Sequence, residues 1–342
     1  MKKYLSFAFL FFLAFSAIGE LDLKSPTAGN TVESLLKANT DGYSNALAQQ
    51  YIYLCALAYC PASVISSWDL NLLLASHLTH WNLLYLSSRP SLERESAIIN
   101  MVILENADTE QIAIAFTGTA EKLQLIDELV NSGSVPYPGI SEGEAMSYFY
   151  KNYYYSFQDD LHTQLMSLSS SYSGYSYLYT GHSLGGALAV LAALETYTNG
   201  YLDAPPTVYT YGQPRVGNQA YAESLNANLP NLYRAVHNKD IVPHIPPMID
   251  FNLAALPQQD QFILYSGQQE ENDVVVSKFG LFWGPRHGGR EIWYNQDFTS
   301  FIRCSLTESE DVACSDSLTI DYSIEDHLHY FGVDVGQACT ME

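Results

Sequence analysis

Gly181-His182-Ser183-Leu184-Gly185 fits G-x-S-x-G, the pattern of a serine nucleophile held on a sharp strand-to-helix turn. The flanks supply the context that pattern needs. Tyr175, Tyr177 and Tyr179 alternate with Ser176, Leu178 and Thr180, a period-2 run of β-prone residues. Residues 187–196 are rich in Ala and Leu, strong helix formers, and Gly200 can end that helix. Glycines around the serine remove the Cβ atoms that would hold strand and helix apart. The expected chemistry is nucleophilic attack by Ser183.

A serine hydroxyl is a weak nucleophile at neutral pH, so it needs a histidine base and an acid that orients the ring. In chains of this pattern the partners follow in the order Ser, Asp or Glu, His. Asp240 stands just past the β-rich run 232–236 and before Ile241-Val242-Pro243, where an acid at the sheet edge is expected. Asp203 reads as a loop residue, and Asp250 and Asp260 fall in a Pro- and Gln-rich stretch. Histidines 244, 287, 327 and 329 follow. His244 lies four residues from Asp240 and is pinned by prolines, which hinders it from reaching back. His287 sits in a Gly-rich turn from which it could contact substrate. His327 precedes the aromatic run 328–331, which could fix its loop; with His329 it could instead form a surface pair or a weak metal site. An oxyanion hole needs two donors. The backbone N–H of Leu184 is one, and Thr119 in Phe116-Thr117-Gly118-Thr119 offers an N–H and a hydroxyl as the other. Losing such a donor typically costs about 3–4 kcal/mol of transition-state stabilisation.

These residues need a scaffold. Residues 43–60 have helical periodicity closed by Pro61, whereas 62–96 carry no clear pattern. Residues 97–104 and Gln111–Phe116 read as two strands joined by a turn-rich hairpin. Residues 141–170 read as one long helix with a Tyr-rich, packing-type middle. Thr207–Tyr211, 232–236, 262–265 and 291–294 read as strands, and 246–260 as a loop. Strands alternating with helices predict an α/β fold with a mainly parallel sheet covered on both faces, with antiparallel pairs at one edge.

Composition bounds the rest. Lys2 and Lys3 precede a nearly unbroken apolar stretch, 5–18, followed by Ala17-Ile18-Gly19, so residues 1–19 read as a secretion signal and 20–342 as one domain. No later stretch reads as a membrane span. The net charge of −22 argues against nucleic-acid partners and anionic membranes. Five cysteines leave one thiol over if the others pair, and Cys304 and Cys314 bracket a short acidic loop suited to a local bridge.

Six stretches in one order resemble the fungal-type class 3 lipases, secreted α/β-hydrolases that cleave long-chain esters. They are IAIAFTGT at 112–119, TGHSLGGALA at 180–189, VYTYGQPRVGN at 208–218, LYRAVHNKDIVPHIPP at 232–247, REIWY at 290–294 and DHLHYFG at 326–332. The resemblance implies Ser183, Asp240 and His327 as the catalytic triad, and Thr119 and Leu184 as oxyanion donors. It implies a Cys60–Cys339 bridge, with Cys304–Cys314 as a second and Cys55 left free. It places a lid helix at 120–130. There Leu123, Leu125, Ile126 and Leu129 share one helical arc, although the family usually has tryptophan where Leu125 stands. The expected substrate is a lipid or other acyl ester, with triacylglycerol first and phospholipid or feruloyl ester as alternatives. A non-catalytic lipid-binding module is the remote one. No metal or organic cofactor is expected.

Overall fold

The computed structural model describes residues 42–92, 94–119, 133–246, 284–306, 310–318 and 321–340. The expected signal segment 1–19, the expected lid with Leu123, Leu125, Ile126 and Leu129, most of the expected 246–260 loop and the expected 262–265 strand lie outside them. The chain divides into Met1–Ser44, of which residues 42–44 are described, and Asn45–Glu342, which carries the candidate site.

The principal strands of this second unit are β1 (Asn82–Ser91), β2 (Arg94–Asn106), β3 (Gln111–Phe116), β4 (Ser134–Pro136), β5 (Glu144–Met146), β6 (Ser176–His182), β7 (Thr207–Tyr211), β8 (Leu232–His237), β9 (Arg290–Tyr294) and β10 (Phe301–Arg303). All but β4 and β5 join one eight-stranded sheet in the order β1-β2-β3-β6-β7-β8-β9-β10. Strands β3, β6, β7, β8 and β9 pair in parallel. The outer pairs β1/β2, β2/β3 and β9/β10 are antiparallel, so both edges carry them, where one was expected. The short strands β4 and β5 form a separate hairpin.

Side-chain alternation along β6 decides which helix covers which face. Thr180 and His182 point towards α1 (Asn45–Ala58), where Cys55 Sγ lies 3.2 Å from Thr180 Oγ1. Tyr179, on the opposite face, bonds Thr196 at 2.8 Å, at the end of the elbow helix. The sheet is therefore covered on both sides. Two short helices, α2 (Ala62–Ser67) and α3 (Leu72–His77), fill the stretch that showed no pattern, and β1 follows them.

The long helix expected over 141–170 is not formed. Its start is strand β5, because Met146 N–H is committed to Val216 O at 2.8 Å. Two helices then follow, α4 (Ser147–Tyr154) and α5 (Gln158–Ser171). Between them the chain turns so that Tyr155 faces solvent at 72% exposure. Phe157 is buried edge-on against Phe116, ring centroids 5.9 Å apart.

Two disulfides staple the unit. Cys304–Cys314 closes the acidic loop, with Cα atoms 6.0 Å apart. Cys60–Cys339 joins the segment after α1 to the C-terminal turn across 279 residues, Cα atoms 5.4 Å apart. Cys55 is free and buried; burial pushes its thiol up to about 12, leaving it protonated and inert. Bridges over long loops restrict the unfolded chain most, so a Cys60→Ser/Cys339→Ser protein is expected to lose roughly 2–5 kcal/mol of stability. Urea unfolding curves fitted for both midpoint and m-value in each protein check this, since the opened chain exposes more surface on unfolding.

Candidate active site

Strand β6 passes into α6 (Leu184–Thr198) through Ser183, whose φ of 59° and ψ of −130° lie in a region that side chains rarely adopt. Such backbone costs on the order of 1–3 kcal/mol and persists where its surroundings over-determine it. Here two glycines do so. A Cβ on Gly181 would run into the Gly185 backbone, and a Cβ on Gly185 would run into the carbonyl of Phe116 at the end of β3. Ser183 N–H bonds Tyr211 O at 2.9 Å, fixing the turn to β7. The hydroxyl is buried and has no hydrogen-bond partner among the described residues.

Asp240 and His327 meet through two loops zipped together. Asp240 follows β8, and Ser323 opens the short helix α7 (Ile324–Leu328) — Ser323 Oγ caps it by accepting from Asp326 N–H at 3.0 Å. Ser323 N–H donates to Lys239 O at 2.7 Å, and Ile241 N–H to Ser323 O at 3.3 Å. The Asp326 carboxylate accepts from Asn238 Nδ2 at 2.8 Å and from Lys239 N–H at 3.1 Å. His327 Nδ1 then lies 3.0 Å from each Asp240 oxygen. Both residues are buried.

The Asp240 carboxylate is held by three donors. Besides His327, Val242 N–H donates to Oδ1 at 2.8 Å and Tyr330 OH to Oδ2 at 2.6 Å. Burial alone would raise its pKa, but the charge and hydrogen bond of His327, with the other two donors, outweigh it and leave the carboxyl below its ordinary range. An ionised Asp240 can only accept, so Nδ1 of His327 carries the proton and Nε2 is left as a base.

Gly212 brings this pair to the elbow. It follows Tyr211, the acceptor of Ser183 N–H, and has a φ of +56°. A Cβ there would lie 2.6 Å from Asp240 Oδ2 and 2.7 Å from His327 Nδ1. The His182 ring stacks on His327 with centroids 4.5 Å apart. The turn after β3 closes the other side, since a Cβ on Gly118 would stand 3.0 Å from Ser183 Cβ. Thr117 is pinned there through N–H to Asn100 O at 3.0 Å and Oγ1 to Ala58 O at 2.5 Å. Two residues on, Thr119 Oγ1 is buried without a partner among the described residues. An unpaired buried hydroxyl costs about 1–3 kcal/mol, which a site tolerates where a ligand oxygen will accept from it. Leu184, first in α6, contributes one of the N–H groups that a helix leaves unpaired at its start.

Comparison with known proteins places this arrangement in a family. The family described as Lipase (class 3) matches residues 113–249. Lipase ZK262.3 of Caenorhabditis elegans is 31% identical over 236 residues, covering 66% of this chain and 63% of that relative. A Rhizomucor miehei lipase is 29% identical over 243 residues, covering 70% of this chain and 57% of that lipase. The solved structure of Rhizomucor miehei triacylglyceride lipase superposes with a TM-score of 0.66 at 26% identity, covering 86% of this chain and 96% of that one. Over these residues the chain is similar to the class 3 lipases. Its fold is the α/β-hydrolase fold, while its matches span 63% and 57% of these two curated relatives.

The other candidate histidines and acids stand apart from the pair. His244 Nδ1 is 3.1 Å from Asp316 Oδ1. His287 is buried, with Nε2 donating to Pro243 O at 2.7 Å; burial and the nearby Arg234 push its pKa well down and keep it neutral. It serves packing. His329 is half-buried and bonds the Glu325 carbonyl at 3.1 Å, so it makes no surface pair with the buried His327. Asp203 has no bond to either histidine of the site, and Asp250 and Asp260 lie outside the described residues. Among the described residues, Glu291 with Cys304 and Cys314 is the cluster shaped like a metal site, and both its sulfurs are spent in the disulfide. No described helix is long and apolar enough to cross a membrane.

Sequence reasoning missed Tyr330 as a ligand of Asp240 and Asp326 as the clamp between the two loops. In the sequence Tyr330 reads only as part of an apolar run. A hydroxyl inside such a run, three residues from a candidate base, is the signal that could have marked it.

Proposed function

We propose that this protein is a carboxylic ester hydrolase of the triacylglycerol-lipase type, exported from the cell, working through an acyl-enzyme. His327 Nε2 takes the proton of Ser183 as Oγ attacks the ester carbonyl. Asp240 holds the ring in the required tautomer and stabilises the imidazolium. The tetrahedral oxygen is met by Leu184 N–H and by Thr119. His327 returns the proton to the departing alcohol, and water repeats the sequence to release the acid. None of these steps calls on a metal or cofactor.

One observation carries the reading. The buried Asp240–His327 pair stands against Gly212, beside a serine held at positive φ whose hydroxyl is engaged by no other described residue. The related triacylglyceride lipase and the shared family support an acylglycerol substrate. Two disulfides and the N-terminal apolar segment support export to an oxidising compartment.

The test is product analysis on emulsified triolein beside phosphatidylcholine, with a fluorophosphonate probe on the same preparation. The expected result is oleate released faster from triolein, with label on Ser183. Faster release from phosphatidylcholine would move the substrate to phospholipid, and an unlabelled Ser183 would end the hydrolase reading.

A further inference from the structure

His182 occupies an unspecified position of the G-x-S-x-G pattern, yet it is buried among residues from three parts of the site. Its Nε2 lies 2.7 Å from the backbone carbonyl of His327. A carbonyl only accepts, so Nε2 carries the proton. In a neutral ring Nδ1 is then an acceptor, and Tyr59 OH donates to it at 2.8 Å. The Tyr59 oxygen rests against Gly118 and takes a hydrogen bond from that backbone, one residue before Thr119.

These bonds link the two functional halves of the site. His327 sits in a five-residue helix whose closing carbonyls have no intrahelical partner, and His182 supplies the missing donor. The ring also packs on the His327 ring, 4.5 Å away and inclined by 30°. Burial, then the neighbouring His327, push the His182 pKa down to about 3, so it stays neutral and keeps one tautomer wherever the enzyme would work. A cation there would oppose the imidazolium that His327 must become.

We propose that His182 and Tyr59 are positioning residues that lock His327 to the oxyanion turn, so that base and oxyanion donors hold one geometry above Ser183. The proposal rests on the acyl-enzyme reading. Displacing a catalytic group by about 1 Å can cost on the order of 100-fold in rate, which sets the scale of effect.

The experiment is a double-mutant cycle of Tyr59→Phe and His182→Gln in the full chain. Both kcat and KM are measured on a soluble p-nitrophenyl ester, with active sites titrated by a fluorophosphonate. Gln keeps a donor for the His327 carbonyl but cannot stack or accept as the ring does. Expected are falls in kcat per titrated site of about 10- to 100-fold for His182→Gln and about 5- to 10-fold for Tyr59→Phe, with KM within about twofold. The double variant is expected to match His182→Gln, because the two act as one unit. A role in stability alone would lower the melting temperature and the titratable fraction while leaving kcat per site unchanged, and that result overturns the proposal. Multiplying effects in the double variant overturn it too. Should His182→Gln not fold, Tyr59→Phe decides alone, since it deletes one oxygen. Ser183→Ala measured alongside separates the two ideas. If it stays active the acyl-enzyme reading fails; if it is inactive and kcat per site is unmoved in the cycle, only the positioning role fails.

Discussion

Ser183→Ala is expected to lower kcat for ester hydrolysis on the order of 10⁵- to 10⁶-fold, with KM changed by no more than a few fold. The Ser183 hydroxyl makes no hydrogen bond among the described residues, so it adds nothing to the ground-state structure they form. In the proposed mechanism its contribution comes when it attacks, with His327 taking the proton and the oxyanion donors receiving the charge, so its loss is expected to fall on the chemical step. The same observation predicts stability in the opposite direction. Alanine keeps the Cβ already accommodated at a φ of 59° and removes a buried oxygen without a partner, so the melting temperature should hold or rise, by up to about 1 kcal/mol equivalent. Titrated fatty-acid release and a thermal melt on one preparation read both effects. A variant retaining more than about 1% of wild-type kcat would show that another group carries the reaction. A variant that fell in stability would show that the hydroxyl is structural after all.

The elbow was legible because each of its steps depends on neighbours in sequence. Alternation in residues 175–180 makes β6, the Ala/Leu run makes α6, and small residues permit the turn between them. Strands β3, β7, β8 and β9 were legible for the same reason: buried on both faces, they are continuous β-prone runs. Strand β1 was not. It is an edge strand with a mixed burial pattern, so solvent permits Ser, Arg and Pro where a central strand would need apolar residues. The break between α4 and α5 was hidden because Tyr154, Tyr155 and Phe157 suit a helix by local preference; only the distant Phe116 explains why Phe157 turns inward. Asp240 was reachable from its place after a strand. The choice of His327 rested on family resemblance, since local features left His287 open and, with no further Cys or His nearby, only weighed against a His327–His329 metal pair without excluding it. Long-range contacts such as Tyr330 to Asp240, or His182 to the His327 carbonyl 145 residues away, have no periodicity to betray them.

Asp240→Asn is expected to cost roughly 10⁴-fold in kcat, and the reason lies in counting lone pairs. The carboxylate presents two oxygens to three donors: Val242 N–H on Oδ1, Tyr330 OH on Oδ2, and His327 Nδ1–H at 3.0 Å from both. Asparagine offers one oxygen and an NH₂. Turned either way, its NH₂ faces either Val242 N–H or Tyr330 OH, leaving a buried donor unpaired at a cost of about 1–3 kcal/mol. The NH₂ also favours the His327 tautomer in which Nδ1 accepts, so that Nε2 carries a proton and cannot remove one from Ser183. Acid dependence provides a separate check. Because the folded pKa of Asp240 is depressed, its contribution to stability is complete above the ordinary carboxylate pKa of about 3.9 and is lost as pH falls below that through the folded value. The variant has no such group to protonate. The gap in melting temperature between wild type and variant should therefore be widest near neutrality and shrink below about pH 4, while other depressed carboxyls such as Asp316 and Asp160 titrate alike in both proteins. A gap that stayed constant from pH 7 to pH 3 would mean that Asp240 is not held as a stabilised anion. The tautomer argument for the lost rate would then fall with it.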